Sequence, residues 1–269
     1  MNTNISIDKT GSYRVYAAVT AKAVAAAESI HQSSNPAFGM VLTAAGLMGL
    51  MLKGQRDKLS LIFKSEDNSA EILATANADG EVKGYISTDN INLKGGSLTV
   101  IKDLGLKEPY IGKIELETGD ISKDLAKYFA VSEQQPSAVA LAPNGGMIVQ
   151  VLPDAKDEVI DKLDETLFMM DSIALIIDDA MKAPANDEKI QDAVVNKIFG
   201  DDLNILDERE IKWHCDCSKE RMAGALVSLG KKDLKEIIEE DGEAELTCQF
   251  CKSAYKFTKE ELLEILNYA

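Results

Sequence analysis

The chain has 269 residues, of which 45% are hydrophobic and 28% are charged, and its formal net charge is -16. This length and composition predict a protein of one or two domains with enough apolar material for a core. The acidic charge, without any Lys/Arg-rich run, argues against a nucleic-acid binder and against binding to anionic membranes.

The N-terminal part of the chain gives the first structural indications. The decapeptide MNTNISIDKT is polar and lacks the apolar core of a secretion signal. The most apolar stretch, residues 37–52, is shorter than the about 20 residues that span a membrane. It contains three glycines, so we expect a buried helix that begins at Pro36 and ends near Lys53-Gly54. A cytoplasmic protein is therefore predicted.

Apolar periodicity predicts the elements on either side of this helix. Residues 15–30 are alanine-rich and predict a helix. From Lys58 the period becomes two, which indicates strands, with hairpin turns at Asp79-Gly80 and at residues 144–146. Residues 120–132 have helical spacing. The predicted strands lie in residues 59–65, 71–87 (a hairpin), 97–105, 112–118, 137–143 and 147–153.

Helical spacing returns in residues 155–182, and composition becomes more acidic near Asp178. Strands that lie largely together, with helices before and after, predict an α+β fold with a mixed or antiparallel sheet. We predict an N-terminal domain (1–177), a helical linker with one apolar stripe (178–212), and a small C-terminal module (213–269). That module is expected to fold as helix, hairpin and helix around the cysteines.

All four cysteines of the chain lie in this last module. Cys215 and Cys217 form a C-x-C pair, and Cys248 and Cys251 form a C-x-x-C pair. Two close pairs joined by a folded insert supply four thiolates at tetrahedral spacing, as zinc requires. His214 is an alternative ligand, although four sulfurs already complete the shell. We therefore predict one zinc ion bound by the four cysteines.

The small size of the module suggests how such a site could act as a switch. About 57 residues rarely form a stable fold through a core alone, whereas structural zinc contributes on the order of 10–16 kcal/mol. Loss of zinc should therefore unfold the module. Oxidation would cause this loss, because a disulfide sulfur is a poor ligand, and adjacency favours the pairs Cys215–Cys217 and Cys248–Cys251. On spacing alone a static zinc ribbon explains the cysteines better than a switch.

Two other functions compete with a switch. A zinc ribbon that binds nucleic acid or a protein partner is one, but residues 213–269 carry twelve acidic and eight basic side chains, the wrong sign for phosphate. A thiol oxidoreductase that uses CQFC is the other, but no thioredoxin-like βαβ pattern precedes it. In a cytosolic protein, clustered cysteines are more often metal ligands or redox switches than structural disulfides.

Six segments spread over nearly the whole chain carry a family resemblance. They are LTAAGLMGLMLKG (42–54), VIKDLGLKEPYIGKIEL (100–116), YFAVSEQQPSA (128–138), GGMIVQVLP (145–153), CDCSKERMAGALVSLG (215–230) and AELTCQFCKSAYKFTKEEL (244–262). With these segments the chain resembles the redox-regulated heat-shock chaperones known as the 33-kDa chaperonin family. One position departs from the family pattern: the resemblance leads us to expect an arginine at position 40, where this chain has Met40.

The resemblance implies an ATP-independent chaperone (a holdase) and not an enzyme. It implies that the reduced form is inactive and holds zinc through Cys215, Cys217, Cys248 and Cys251. Oxidants then release zinc and form the disulfides Cys215–Cys217 and Cys248–Cys251. The C-terminal module and the linker unfold, and the exposed apolar surface captures unfolding client proteins. A homodimer is expected on activation, and neither nucleic acid nor membrane is expected as a partner.

Overall fold

The computed structural model describes residues 2–168, 175–176 and 195–268. Chain contacts divide the protein into two compact units, Met1–His214 and Cys215–Ala269. The elements of the first unit are β1 (Thr3–Asp8), β2 (Tyr13–Val19), α1 (Ala21–His31), α2 (Pro36–Gly49), β3 (Lys58–Lys64), β4 (Glu71–Asn77), β5 (Glu81–Ile86), β6 (Ser97–Asp103), β7 (Tyr110–Glu115), α3 (Ile121–Ser132), β8 (Ser137–Ala142), β9 (Gly145–Val151), α4 (Asp157–Leu167), β10 (Leu203–Asp207) and β11 (Lys212–Trp213).

The strands of the first unit form two sheets. The first has the order β10-β1-β2-β9-β8, and the second has the order β11-β5-β4-β3-β6-β7. The described strand pairs are antiparallel, except that β11 runs parallel to β5. The predicted α+β class is confirmed. The strands are divided between two sheets because α2 lies between them.

Helix α2 contacts β3, β4 and β5 of the second sheet and β2, β8 and β9 of the first. Pro36 occupies its first turn, and the side chain of Asn35 accepts a hydrogen bond from the Ala37 N–H. Eleven of its fourteen residues are buried. Because its glycines have no side chain, neighbouring backbone can approach the helix closely. A Cβ at Gly39 would lie 2.4 Å from the Pro143 carbonyl oxygen. The predicted buried helix is confirmed, and none of the described helices is long and apolar enough to cross a membrane.

The predicted helix over residues 15–30 is wrong in its first third. Residues 13–19 form β2, and the helix begins only at Ala21. Strand β2 is central in its sheet, where it pairs with both β1 and β9, and six of its seven residues are buried. Strand pairing and burial therefore outweigh the helix propensity of its alanines. The polar N-terminus, for which no strand was predicted, forms β1.

The predicted helical linker, residues 178–212, is only partly described, since residues 178–194 lie outside the described part. Residues 195–199 are helical, and Gly200 follows with φ +58. Residues 203–207 are not helical but form β10, which pairs with β1. An extended segment is favoured there because it completes the open edge of β1. Of the predicted helix over 155–182, residues 157–167 form α4, and most of the remainder lies outside the described residues.

The outer face of the first sheet is apolar and lies under helical residues. We call it the covered face. It consists of residues from the inner strands β2 and β9 and from the edge strand β8. The side chains that cover it come from α4 and from residues 195–199. The sheet residues are Tyr13, Val15, Ala17, Val19, Ala140, Ala142, Met147 and Val149, and the covering residues are Leu163, Val195 and Phe199.

Residues 209–214 form a strap that is anchored in the first unit. The side chain of Ile211 is 1% exposed and fills the space beside Gly46 of α2, where a Cβ would come within 2.9 Å of it. Its backbone exchanges two hydrogen bonds with the amide side chain of Asn2, of 2.7 and 2.9 Å. The Thr3 hydroxyl makes an equivalent pair of bonds with the backbone of Arg209, both of 2.8 Å. The N-terminal residues thus hold the strap from one side.

Strand pairing holds the strap from the other side. The N–H groups of Lys212 and His214 donate to the carbonyl oxygens of Gly80 and Val82, each at 3.0 Å. Trp213, the single tryptophan of the chain, is partly buried against the main core. Backbone hydrogen bonds and side-chain packing within the first unit therefore hold the residues that immediately precede the first cysteine.

The second unit is small and built around a hairpin. Its elements are α5 (Lys219–Leu229), α6 (Lys231–Glu240), β12 (Ala244–Thr247), β13 (Ala254–Phe257) and α7 (Lys259–Tyr268). It therefore has one helix more than the predicted helix, hairpin and helix, because Gly230, with φ +91, separates α5 from α6. The fully buried apolar residues of its core are Leu226, Leu234, Ile238, Phe257 and Leu262.

Candidate metal centre

Local elements bring the four cysteines together. Cys215 and Cys217 directly precede α5, and Cys248 and Cys251 lie in the turn between β12 and β13. Their four sulfur atoms all lie within 4.8 Å of one another, and among the described residues this is the group that could hold a metal ion. His214, the alternative ligand, is not part of that group.

Backbone hydrogen bonds shape the turn that carries the second pair. The Cys248 N–H donates to the Ser253 carbonyl at 2.8 Å, and the Lys252 N–H donates to the Cys248 carbonyl at 2.9 Å. Lys252 has φ +60, a left-handed conformation that turns the chain back into β13. The turn therefore folds both sulfurs of the C-x-x-C pair toward the same side.

The first pair is held by the start of α5. Ser218 is the N-cap residue, and its side chain accepts a hydrogen bond from the Arg221 N–H. The Arg221 guanidinium donates to the Asp216 carbonyl oxygen at 2.9 Å and also contacts the Asp216 carboxylate. These bonds fix the residue between the two cysteines, so the short C-x-C loop has a defined conformation.

Two hydroxyl groups that were not predicted from the sequence contact the cysteine cluster. The Tyr255 hydroxyl oxygen lies 3.0 Å from Cys217 Sγ, and Ser253 Oγ lies 3.3 Å from Cys251 Sγ. Both residues follow Cys251 closely in the sequence. No local pattern marks them, because their position at the sulfurs depends on the hairpin.

Burial and hydrogen bonding shift the pKa values of three of the four cysteines. Burial raises the pKa of Cys215 to about 12 and also raises the pKa of Cys217. Burial acts in the same direction on Cys251, but hydrogen bonds from the side chain and backbone of Ser253 lower its pKa to about 6. Four adjacent thiolates need a compensating cation. Four soft sulfur donors at this spacing fit Zn²⁺.

Two short sulfur contacts join one cysteine pair to the other. Cys215 Sγ lies 3.7 Å from Cys248 Sγ, and Cys217 Sγ lies 3.2 Å from Cys251 Sγ. None of the four cysteines forms a disulfide. Cys248 is 4% exposed, whereas the other three are half-buried, so the cluster lies near the surface of the second unit.

Comparisons with known proteins identify the family of the chain. The family model described as "Hsp33 protein" matches residues 5–258. The "33 kDa chaperonin" of Clostridioides difficile (strain 630) is 41% identical in an alignment that covers 95% of this chain and 95% of that protein. That of Alkaliphilus oremlandii (strain OhILAs) is 40% identical and covers 94% of this chain and 93% of its own.

A solved structure has the same fold. The crystal structure of the 33 kDa chaperonin (heat shock protein 33 homolog) from Thermotoga maritima has a TM-score of 0.74 and 26% sequence identity. The similarity covers 99% of this chain and 98% of that one. The chain therefore belongs to the Hsp33 family of 33 kDa chaperonins, which are chaperones rather than enzymes.

Proposed function

We propose that this protein is a redox-regulated, ATP-independent holdase that binds unfolding proteins under oxidative stress. The observation that carries the proposal is the cluster of four sulfurs within 4.8 Å of one another, which uses every cysteine of the chain. Membership of a chaperone family accounts for the binding of unfolded clients. The cysteine cluster would be the sensor that controls it.

In the reduced state, Cys215, Cys217, Cys248 and Cys251 would hold one Zn²⁺ ion. Bound zinc supplies a cross-link between the start of α5 and the hairpin turn, two segments about 30 residues apart in the chain. The donor set supports zinc because its four soft sulfur atoms lie within 4.8 Å of one another. Burial raises the pKa of Cys215 and Cys217, and a divalent cation would offset this cost by binding the thiolates directly.

The second unit would depend on this cross-link for its fold. Its core contains five buried apolar residues, and a fold of this size rarely gains more than about 3–5 kcal/mol from its core. Zinc bound to four thiolates contributes on the order of 10–16 kcal/mol. The metal contribution is larger than the stability that the core can supply, so the apo unit should unfold.

Oxidation would remove the metal by consuming its ligands. We expect disulfides Cys215–Cys217 and Cys248–Cys251 in the oxidised protein, since each pair is adjacent in sequence. In the cluster each pair contacts the other pair, so disulfide formation within each pair requires local rearrangement to bring its two sulfurs to bonding distance. Loss of zinc and of the unit's fold would permit that rearrangement.

The covered face is the surface that we propose for client binding. Its sheet residues are apolar, and its cover is made by short helical segments of α4 and residues 195–199. The ring of Phe199 packs on Tyr13 with centroids 6.0 Å apart. If the linker, residues 178–212, detaches when the C-terminal unit unfolds, this face becomes accessible to apolar segments of a client.

The strap would set the resistance of the linker to complete detachment. The strap includes the last four residues of the linker, 209–212. The contacts of Ile211 with Asn2 and the pairing of β10 with β1 hold this end of the linker in the first unit. Release of the linker beyond its helical part must break these contacts. We therefore expect the linker to detach first in its helical part and last at the strap.

The remaining expectations follow from composition and family. The protein should act in the cytoplasm and form a homodimer when activated. We expect no binding to nucleic acid or to anionic membranes, because the net charge of -16 repels both.

The experiment that tests the proposal measures aggregation of an unfolding client by light scattering. Protein treated with peroxide should release one zinc per chain and suppress aggregation without ATP. The reduced, zinc-loaded protein is the matched control and should suppress it weakly. Treatment of the oxidised protein with thiol reductant and zinc should restore the inactive state. If the oxidised protein holds no client, the holdase proposal is wrong and a static zinc module remains.

A further inference from the structure

The hydroxyl of Tyr255 lies against the metal centre. Its oxygen is 3.0 Å from Cys217 Sγ and 3.3 Å from the carbonyl oxygen of the same residue. A sulfur that binds a metal is a thiolate and has no proton to donate. When the cluster holds a metal, a hydrogen bond between these groups must therefore be donated by Tyr255.

The position of this hydroxyl is fixed by the hairpin. Tyr255 lies on β13 opposite Leu246 of β12, and its ring packs against the apolar core of the second unit. The same hairpin carries Cys248 and Cys251 in its turn. In the folded unit the hairpin therefore orients the donor toward the metal centre, which is how outer hydrogen bonds tune a metal site.

We propose that Tyr255 is a positioning residue that donates a hydrogen bond to the Cys217 thiolate, strengthens metal binding and slows the attack of this sulfur on oxidants. The bond stabilises the negative charge on the metal-bound sulfur, so the metal-loaded site is favoured. It also draws electron density from the sulfur, and a less electron-rich thiolate is a weaker nucleophile. This inference rests on the proposed function, since it assumes a zinc-thiolate centre that responds to oxidants.

The oxidation step that Tyr255 restrains involves hydrogen peroxide as the oxidant. The Cys217 thiolate attacks one oxygen, the O–O bond breaks, and hydroxide leaves, which gives a sulfenic acid. The Cys215 thiolate then attacks this sulfur, forms the S–S bond and expels a second hydroxide. The two hydroxides take up two protons to become water. Two sulfurs together lose two electrons, and the peroxide gains them.

The test replaces Tyr255 by phenylalanine (Y255F), which keeps the ring and removes the hydroxyl. Zinc affinity of the reduced protein is measured by competition with a chromophoric chelator, and zinc release is timed after peroxide addition. We expect affinity to fall by about tenfold and release to become faster by a similar factor. The matched control is Y110F, which removes a hydroxyl that donates to the Ser132 carbonyl in the first unit. It should behave like the parent protein.

A spectroscopic readout separates a hydrogen bond from general destabilisation. Co²⁺ is loaded in place of zinc, and the sulfur-to-cobalt charge-transfer band is recorded for the parent, Y255F and Y110F. Loss of the donor makes the sulfur more electron-rich, so the band of Y255F alone should move to longer wavelength. Only the metal-loaded, folded unit gives this band, so unfolding cannot imitate the shift.

The outcomes distinguish this inference from the proposed function. An unmoved band in Y255F overturns the role of Tyr255, whatever happens to affinity. A parent protein that binds no Co²⁺ or Zn²⁺ through four thiolates overturns the proposed function and the inference together. The inference alone is overturned if the parent protein binds zinc and releases it with peroxide, and Y255F has the same zinc affinity, zinc-release rate and charge-transfer band as the parent.

Discussion

The strap offers a sharp prediction because one buried side chain anchors it. The change is Ile211→Ala, which removes the equivalent of three methylene groups from a side chain that is 1% exposed. At about 0.8 kcal/mol for each group, the lost burial is about 2.4 kcal/mol, and the cavity left beside Gly46 adds to it. We therefore expect the strap to be held less tightly by about 3 kcal/mol, within the range for such substitutions.

Amide hydrogen exchange measures this loss directly. The N–H groups of Lys212 and His214 bond to carbonyls of the second sheet and exchange when the strap opens. A loss of about 3 kcal/mol corresponds to about 100-fold faster exchange, at 1.4 kcal/mol for each tenfold. Trp213 should report the same opening through a red-shifted emission, and no other tryptophan in the chain contributes.

The matched control is Lys212→Ala in the same strap. The Lys212 side chain is 51% exposed and its ammonium lies 3.5 Å from the Glu81 carboxylate, a surface pair worth about 0–1 kcal/mol. The exchange of the His214 amide should change less than about fivefold in this control. If Ile211→Ala leaves both amides as protected as in the parent protein, Ile211 does not anchor the strap.

Three further predictions concern the metal and the first unit. Removal of zinc from the reduced protein by a chelator should abolish the helical signal of the second unit in circular dichroism. The second unit should then be cleaved by protease, while residues 2–168 stay resistant. An unchanged spectrum and cleavage pattern would count against metal-dependent folding. Cys248→Ser should lower zinc affinity by at least tenfold, because it leaves three thiolates, and zinc content after dialysis against a chelator measures this; full retention would indicate a different ligand set. Asp124→Ala should reduce the free energy of unfolding of the first unit by about 3 kcal/mol in urea melts. The reason is that the buried Asp124 side chain accepts hydrogen bonds from the N–H groups of residues 117–119. A loss below about 1 kcal/mol would show that these N–H groups find other partners.

Local sequence patterns predicted the elements whose ends are set by nearby residues. Pro36 and the Asn35 side chain begin α2, and Asp120 caps α3 by accepting hydrogen bonds from Ser122 and Lys123. The hairpin at Asp79-Gly80 is observed between β4 and β5, where Gly80 has φ +77. These features depend on a few consecutive residues, so they are visible in the sequence.

Features that depend on distant partners were not predictable in the same way. Strand β2 contains alanines that favour a helix, and only pairing on both edges makes it a strand. The hydrogen bonds between Asn2 and Ile211 join residues 209 positions apart. The cysteine cluster was predictable from spacing, because zinc requires four ligands and the chain offers four cysteines. Tyr255 was not, since only the hairpin brings it to Cys217.

The pairing of β1 with β10 has a consequence for synthesis of the chain. Ile5 pairs with Asp207, and Asp8 pairs with Leu203, so the two strands leave the ribosome about 200 residues apart. At about 5–20 residues per second, β1 waits on the order of 10–40 s for this partner. During that time its outer edge is unpaired and able to join another nascent chain. Completion of the sheet just before the cysteines emerge would place metal uptake last in the folding sequence.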